Sequence, residues 1–237
     1  MIPLHDANPT RRVPIVTRIL LGVNILLWLY VLSLSRTPGA AEAFYNTFAF
    51  DWSAFVAAIS KTPWSIDTAS AFLPLLTHMF LHGGWLHVLG NMLYLWIFGD
   101  NVEDTLGSLP FLGFYLACGI VAAIGQGLLS PGPLVGASGA IAGVLGAYLL
   151  ISPTARVSTL VFLGIFISII QLPAIIVIGM FIVLQIIEGV AELRLAVHPA
   201  TQQVAYFAHV FGFLAGVLLL PLMRRGTASR RTRAGWG

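Results

Sequence analysis

The sequence predicts an all-α polytopic membrane protein with six transmembrane helices and an interfacial first loop. Of its 237 residues, 58% are hydrophobic and only 9% are charged, whereas soluble domains average about 25% charged residues. The mean hydropathy is +0.91. This composition excludes a cytosolic globular protein, a disordered chain and a fibre. The single cysteine, Cys118, excludes an internal disulfide framework and a cysteine-based zinc site.

Charged residues punctuate the chain at intervals close to the roughly 20 apolar residues that a helix needs to cross a bilayer. The long uncharged stretch between Asp104 and Arg156 divides at Ser130–Pro133, where Pro and Gly interrupt a helix, and Pro173 divides the next one. The predicted spans are 19–35, 84–98, 109–129, 136–151, 173–190 and 203–223. They form one membrane domain over 15–223, between an N-terminal segment (1–14) and an Arg-rich tail (224–237).

Two connecting segments lie outside these spans. Residues 37–70 carry aromatic side chains at a density typical of a loop in the membrane interface, although an outer domain packed on itself is the alternative. The stretch 156–170 is rich in β-branched residues and is left open between an extended and an interfacial segment. The aromatic residues of the first connector are Phe44, Tyr45, Phe48, Phe50, Trp52, Phe55 and Trp64.

Arginines cluster at both ends of the chain, which carries a formal net charge of +3. Such clusters mark cytoplasmic flanks rather than a nucleic-acid surface, so no nucleic-acid partner is expected. An even number of spans agrees with two cytoplasmic termini. A cleaved signal peptide is the alternative for the first span, because Ala41-Glu42-Ala43 resembles a cleavage site, but five remaining spans would then separate the termini.

Polar residues inside a span are costly and mark functional sites by default. Asn91, Ser138 and His209 lie on three separate predicted spans, each in the outer half of the bilayer when the spans alternate in direction. A lone serine usually bonds its own backbone, and a lone histidine is often an ordinary core residue. Their coincidence at one depth favours an enzyme, because a serine hydroxyl becomes a nucleophile when a histidine accepts its proton. The other polar residues of this outer region are His78, His82 and His87.

Small residues would let the serine and histidine helices approach closely. Gly136, Gly139 and Gly143 surround Ser138, and Gly212 and Gly216 share one helical face with His209. Such spacing is common in membrane helices and is weak evidence alone.

Together these segments resemble the rhomboid family of intramembrane serine proteases. The segment 136–139 is similar to the family's GxSG motif, 208–216 to its AHxxGxxxG motif, and 87–91 to its HxxxN motif, all in the family order over about 70–223. The resemblance implies a six-helix rhomboid bundle in which Ser138 is the nucleophile and His209 the general base. It also implies that Asn91 and His87 stabilise the oxyanion. His78 and His82 match further family histidines, and Glu103 matches an acidic position that the family pattern places in the loop after the second span.

The implied reaction is the hydrolysis of a peptide bond in transmembrane protein substrates, which would enter laterally past the fifth span and the 37–70 loop. The expected setting is a multi-pass protein of a bacterial cytoplasmic membrane, in contact with the lipid bilayer. No cofactor or metal is expected. Ala142 replaces an aromatic residue that some members use to support the histidine, so the support of His209 is left open. Glu188, the nearest candidate acid, is expected to face the interface.

Two other classes compete with a protease. His78 and His82 are spaced i, i+4 and could bind a metal with His87, but Met79-Phe80-Leu81 between them lacks a glutamate base. A transporter or an inactive rhomboid-like binding protein would keep the fold and lack the Ser–His pair. Without a pair of Asp residues in the spans, an aspartyl protease is excluded. The substrate and the oligomeric state do not follow from the sequence.

Overall fold

The computed structural model describes residues 1–61, 70–163, 166–195 and 204–234. Trp64 and most of the 191–201 loop lie outside the described residues. Nine α-helices are found in the described part of the chain. They are α1 (Ile15–Leu34), α2 (Ala40–Phe48), α3 (Trp52–Lys61), α4 (Pro74–Thr77), α5 (Trp85–Leu106), α6 (Ser108–Leu129), α7 (Ser138–Ile151), α8 (Ala174–Leu195) and α9 (Tyr206–Ala234).

Six of these helices form the predicted bundle, which confirms the fold class. By length and composition, α1, α6, α8 and α9 can each cross a membrane. The fifth member, α5, has 22 residues but carries charges in its last turns. The sixth, α7, has 14 residues and is buried from Gly139 to Tyr148, so it is the central helix of the bundle.

The buried core explains why the more polar α5 joins the bundle. The largest hydrophobic cluster runs through α5, α6 and α7 and includes the fully buried rings of Phe98, Phe111, Tyr115 and Tyr148. The lipid-facing residues of α8, by contrast, remain exposed, including Ile176, Val183 and Ile187. Apolar side chains thus point both inward and outward, as a chain surrounded by lipid requires.

Several predicted boundaries were wrong. The second span was predicted to end at Phe98, but α5 continues to Leu106, and Glu103 lies inside this helix rather than in a loop. The helix can continue because Glu103 is buried and satisfied: its carboxylate accepts hydrogen bonds from the Val16 and Thr17 amides at 2.9 and 2.7 Å and from the Ser108 hydroxyl at 2.6 Å. These bonds also cap the start of α1, whose first amides lack helical partners.

The fourth predicted span began at 136, whereas α7 begins at Ser138. The cause is Gly136, whose φ of +127° is not helical and suits only glycine. The helices of the fifth and sixth predicted spans continue past 190 and 223, to Leu195 and Ala234, but the membrane-spanning part of the last helix, Tyr206–Arg224, agrees with the predicted span.

The β-branched segment left open above is extended. Strands β4 (Arg156–Leu163) and β5 (Phe166–Pro173) pair as an antiparallel hairpin, and the N-terminal strand β1 (Ile2–Asp6) pairs with the other edge of β4. A three-stranded sheet in the order β1-β4-β5 therefore joins α7 to α8. This sheet is an addition to the predicted helical bundle.

The connector after α1 is tied to the segment that precedes Ser138. Strand β2 (Phe50–Asp51) pairs with β3 (Pro133–Leu134), and the Thr77 hydroxyl donates a hydrogen bond to the Phe48 carbonyl at 2.7 Å. The Trp52 ring packs against Gly127 at the end of α6. The described part of the first connector therefore packs on the bundle beside the start of α7.

Candidate active site

The backbone before α7 bends so that Ser138 becomes the first residue of the helix. The Gly136 amide donates to the His78 carbonyl at 2.9 Å, which holds the bend. A Cβ on Gly136 would lie 2.6 Å from His87 Nε2 and 3.6 Å from Ser138 Oγ. Because glycine has no side chain, both groups can lie close to the Gly136 backbone. Ala137 has no capping side chain, and the amides of the first turn lack helical partners.

Helices α7 and α9 cross with their backbones in contact, and this crossing brings Ser138 and His209 to the same region. A Cβ on Gly212 would collide with the Gly139 carbonyl oxygen, and one on Gly216 with the Gly143 carbonyl oxygen. Because the contacts follow the same order on both helices, α7 and α9 run parallel. The four predicted packing positions, Gly136, Gly139, Gly212 and Gly216, all lie at close approaches.

A cavity of about 1540 Å³ contains the four predicted site residues, Ser138, His209, Asn91 and His87. Ser138 is half-buried, whereas Asn91 and His209 are 8% and 7% exposed. The hydrogen bonds of the described residues do not include one between Ser138 and His209. Catalytic hydrogen bonds are often long without substrate and tighten in the complex. The cavity wall is completed by aromatic residues, among them Tyr45, Trp85, Tyr94 and Phe181.

Asn91 and His87 both offer hydrogen-bond donors to this cavity. The Asn91 Nδ2 atom is buried without a hydrogen-bond partner among the described residues, although buried amides are normally paired. The Gly83 amide donates to His87 Nδ1 at 3.4 Å. This contact favours the tautomer with the ring proton on Nε2, the atom that lies next to Gly136. Two donors therefore lie near the start of α7.

The histidines His78 and His82 pack behind the cavity instead of lining it. His78 Nδ1 lies 2.9 Å from the Pro74 carbonyl oxygen, and the His82 ring meets the His87 ring edge-on at 5.0 Å between centroids. The Tyr45 hydroxyl donates to the His82 carbonyl. Among the residues that the structure describes, no group of three or more His, Cys, Asp or Glu side chains could hold a metal ion.

His209 is held by two residues of α8 that sequence reasoning missed. Its Nδ1 atom lies 2.6 Å from Gln185 Oε1, and its ring lies against the Phe181 ring with 5.7 Å between centroids. Ala142 is fully buried and contributes no ring, so the support comes from α8 rather than α7. The overlooked signal is that Gln185 is the one polar side chain between 174 and 187, where a polar residue is costly. Glu188, which lies about one turn after Gln185 on α8, is exposed.

The start of α9 is fixed from α6. Gln126 Oε1 accepts a hydrogen bond from the Ala208 amide at 3.0 Å, which satisfies an amide of the first turn of α9. Gln126 Nε2 donates to the Ser130 carbonyl at 3.1 Å, and the Ser130 hydroxyl donates to Glu192 at 2.6 Å. This chain of bonds links α6, α8 and α9 next to His209, and it was not predicted either.

Comparison with known proteins agrees with the fold and with the motifs. The rhomboid domain profile matches residues 69–226, which is well over half of the chain. The protein therefore belongs to the rhomboid family. It is a multi-pass membrane protein of this family.

Individual relatives are similar over shorter stretches. Rhomboid protease GluP of Bacillus subtilis is 48% identical over 82 residues, which are 35% of this chain and 16% of that protein. Rhomboid-like protein 11, chloroplastic, of Arabidopsis thaliana is 26% identical over 162 residues, 65% of this chain and 54% of that protein. The human presenilin-associated rhomboid-like protein, mitochondrial, is 35% identical over 98 residues, 39% and 26% of the two chains. The matches thus span less than two thirds of these relatives.

Proposed function

We propose that this protein is an intramembrane serine endopeptidase that hydrolyses a peptide bond in or next to the transmembrane segments of membrane proteins. Ser138 is the nucleophile and His209 is the general base. The observation that carries the proposal is that one cavity is lined by Ser138, His209, Asn91 and His87. These residues come from three different helices, α7, α9 and α5. Family membership supports the same reaction class.

The reaction is acyl transfer in two halves. Ser138 Oγ attacks the substrate carbonyl carbon while His209 accepts the hydroxyl proton. The tetrahedral intermediate then collapses: the C–N bond breaks, His209 returns the proton to the leaving amine, and an ester to Ser138 remains. In the second half a water molecule attacks the ester with His209 again as base, which releases the new carboxylate and restores the serine.

The negative oxygen of the intermediate would be bound by hydrogen-bond donors of residues that line the cavity. These are Asn91 Nδ2, His87 Nε2–H and the Ser138 backbone amide at the start of α7. Donors that are fixed before the reaction stabilise the developing charge without reorganisation. No step needs a metal, so cleavage is expected to continue in EDTA.

The shape and position of the site support this substrate class. The cavity is lined by residues of α5 and α8, and both helices present apolar side chains to their surroundings, such as Leu86 and Ile176. A transmembrane segment would approach between them from the bilayer. The Arg bias supports an orientation with both termini in the cytoplasm of a bacterial cell and the cavity on the opposite side of the cytoplasmic membrane.

The test is cleavage of a transmembrane test substrate by the purified protein in proteoliposomes, with Ser138→Ala and His209→Ala beside the wild type. The two residues act as one unit, so each variant is expected to lose all measurable cleavage while it keeps its thermal stability. Cleavage by a stable Ser138→Ala protein would contradict the proposal. A wild-type protein that binds the substrate without cleaving it would identify an inactive rhomboid-like binding protein instead.

A further inference from the structure

The contact between His209 and α8 has a direction that bears on catalysis. A glutamine carbonyl oxygen only accepts hydrogen bonds, so in the 2.6 Å contact His209 Nδ1 is the donor and Gln185 Oε1 the acceptor. A neutral imidazole that donates from Nδ1 has a lone pair on Nε2. That lone pair is what a base needs to accept the proton of Ser138.

Phe181 restrains the same ring. It lies one turn before Gln185 on α8, so both side chains leave the same face of that helix. Its ring contacts the His209 ring and also the Tyr94 ring of α5, with 6.0 Å between the Phe181 and Tyr94 centroids. Gln185 therefore fixes the tautomer, and Phe181 limits the rotation of the ring.

In serine proteases with a catalytic triad, a buried aspartate bonds the histidine and holds its tautomer and orientation. A carboxylate in that place would be an additional buried charge inside a membrane protein, which is costly. The neutral amide of Gln185 can accept the same hydrogen bond at a smaller desolvation cost.

We propose that Gln185 is the positioning residue of the dyad: through its hydrogen bond to Nδ1 it holds His209 in the tautomer and orientation that activate Ser138. The inference rests on the proposed function, since it requires His209 to be the base. Helix α8 would then both hold His209 and form part of the cavity wall, since Phe181 of this helix lines the cavity. The competing explanation is that the bond only ties α8 to α9, as polar contacts between membrane helices often do.

The experiment compares three substitutions in the full-length protein in proteoliposomes. Gln185→Met keeps the length of the side chain and removes the acceptor, whereas Gln185→Glu keeps an acceptor at the same position. Leu184→Met is the matched control on the same turn, because Leu184 is 48% exposed and lies outside the cavity. For each protein kcat, KM, the thermal unfolding temperature and the rate of Ser138 labelling by a fluorophosphonate are measured.

Gln185→Met is expected to lower kcat and the labelling rate by roughly tenfold or more, the order of one lost hydrogen bond, at an unchanged KM and unfolding temperature. Gln185→Glu is expected to recover most of the loss. It should also move the acid limb of the kcat/KM profile to higher pH, because a nearby carboxylate favours the imidazolium form. The titratable groups already around His209 are His87, Tyr94, Tyr45 and Asp51 of the cavity, Glu188 and Glu192 on α8 and Tyr206 on α9, and they are the same in all variants.

Wild-type kcat and labelling in Gln185→Met would overturn the inference, as would a Gln185→Glu protein that is as slow as Gln185→Met. A Gln185→Met protein that only melts earlier, with unchanged turnover below its unfolding temperature, would establish the structural tie instead. These outcomes are separate from a failure of the proposed function, which would appear as activity of the wild type that does not depend on Ser138.

Discussion

At the scale of single residues, Asn91 combines a buried donor, unpaired in the described part of the chain, with a position on the wall of the cavity. Its Nδ2 atom is buried and unpaired within the described structure, and it lines the cavity with Ser138. A buried donor without a partner costs about 1–3 kcal/mol. A fold that carries such a cost at this position has a donor ready for a negative oxygen that appears only after Ser138 attacks.

Asn91→Ala is therefore expected to lower kcat more than it changes KM. Loss of one oxyanion donor in a soluble protease costs about 3 kcal/mol, or about a hundredfold in rate, and the loss here should be smaller if His87 and the Ser138 amide share the charge. Steady-state kinetics and thermal unfolding measure the two effects. A variant that melts earlier and loses activity in parallel would mean that Asn91 mainly connects helices, and wild-type turnover in a stable variant would remove it from the site.

At the scale of elements, the site depends on the crossing of α7 and α9. The helix α7 spans about 21 Å at 1.5 Å per residue, less than the roughly 30 Å hydrocarbon core. Its first residue, Ser138, can therefore lie below the level at which longer helices end. Glycines then let α9 pack directly on the α7 backbone, so that short side chains from both helices meet.

Gly216→Ala tests this crossing. The new Cβ would collide with the Gly143 carbonyl oxygen, which is backbone and cannot move aside. Overpacking of this kind costs about 1–3 kcal/mol, so thermal unfolding in detergent should occur at lower temperature and Ser138 labelling should slow. Gly22→Ala is the matched control, since nothing lies within 4 Å of a Cβ at Gly22 on α1. A Gly216→Ala protein as stable as this control would contradict the close crossing.

The N-terminal strand β1 is held to the bundle by a buried carboxylate. Asp6 is 6% exposed and accepts hydrogen bonds from the Tyr148 hydroxyl at 2.6 Å and from Asn101 Nδ2 at 3.2 Å. Burial raises the pKa of Asp6 above the ordinary value of 3.8 despite these bonds and the nearby His5. The folded protein therefore retains the Asp6 proton at pH values where the unfolded chain has released it.

The sign of the resulting pH dependence is fixed by this raised pKa. The contribution of Asp6 to stability is fully present below the unfolded pKa and declines as the pH rises through the folded pKa. Asp6→Asn cannot ionise and keeps an acceptor, so its unfolding temperature should equal or exceed that of the wild type near neutral pH. The difference should shrink as the pH falls to about 4. A variant that is less stable at neutral pH, with a deficit that closes in acid, would contradict this account.

At the scale of the whole molecule, the ends of several helices are bound together on the side opposite the cavity. Glu103 joins the end of α5 to the starts of α1 and α6, and Asp6 joins the N-terminal strand to the end of α7. Because α9 runs parallel to α7, its C-terminal end lies on this side as well. The N-terminal strand and the C-terminal part of α9 therefore lie on one face of the bundle, and the cavity lies towards the other.

Reporter fusions test which face is cytoplasmic. Reporters at both termini should read as cytoplasmic and one inserted in the 191–201 loop as external, because arginines flank the first and last spans. Opposite signals from the two termini would mean an odd number of membrane crossings and would contradict the arrangement in which Ser138 and His209 share one depth.

The polar side chains within the spans were predicted best, because burying a polar group in a membrane costs free energy. Ser138, His209 and Asn91 were conspicuous because polar groups within spans are rare, and their convergence in one cavity follows from the alternation of the spans. The bundle boundaries were predicted less well, because Asp100 and Glu103 look like the end of a span until the partners of Glu103 on α1 and α6 are known. The hairpin of β4 and β5 could not be separated from other apolar segments by periodicity. The role of Gln185 depends on a contact between α8 and α9, which no local pattern encodes.

The central claim is that Ser138 is a nucleophile activated by His209, and covalent labelling tests it most directly. The purified protein is treated with a fluorophosphonate, and the modified residue is identified by peptide mass spectrometry. We expect one adduct on Ser138 Oγ, none in Ser138→Ala and much slower labelling in His209→Ala, because the reagent traps only an activated serine. Undiminished labelling of Ser138→Ala, or an unmodified Ser138 in a preparation that cleaves its substrate, would contradict the account.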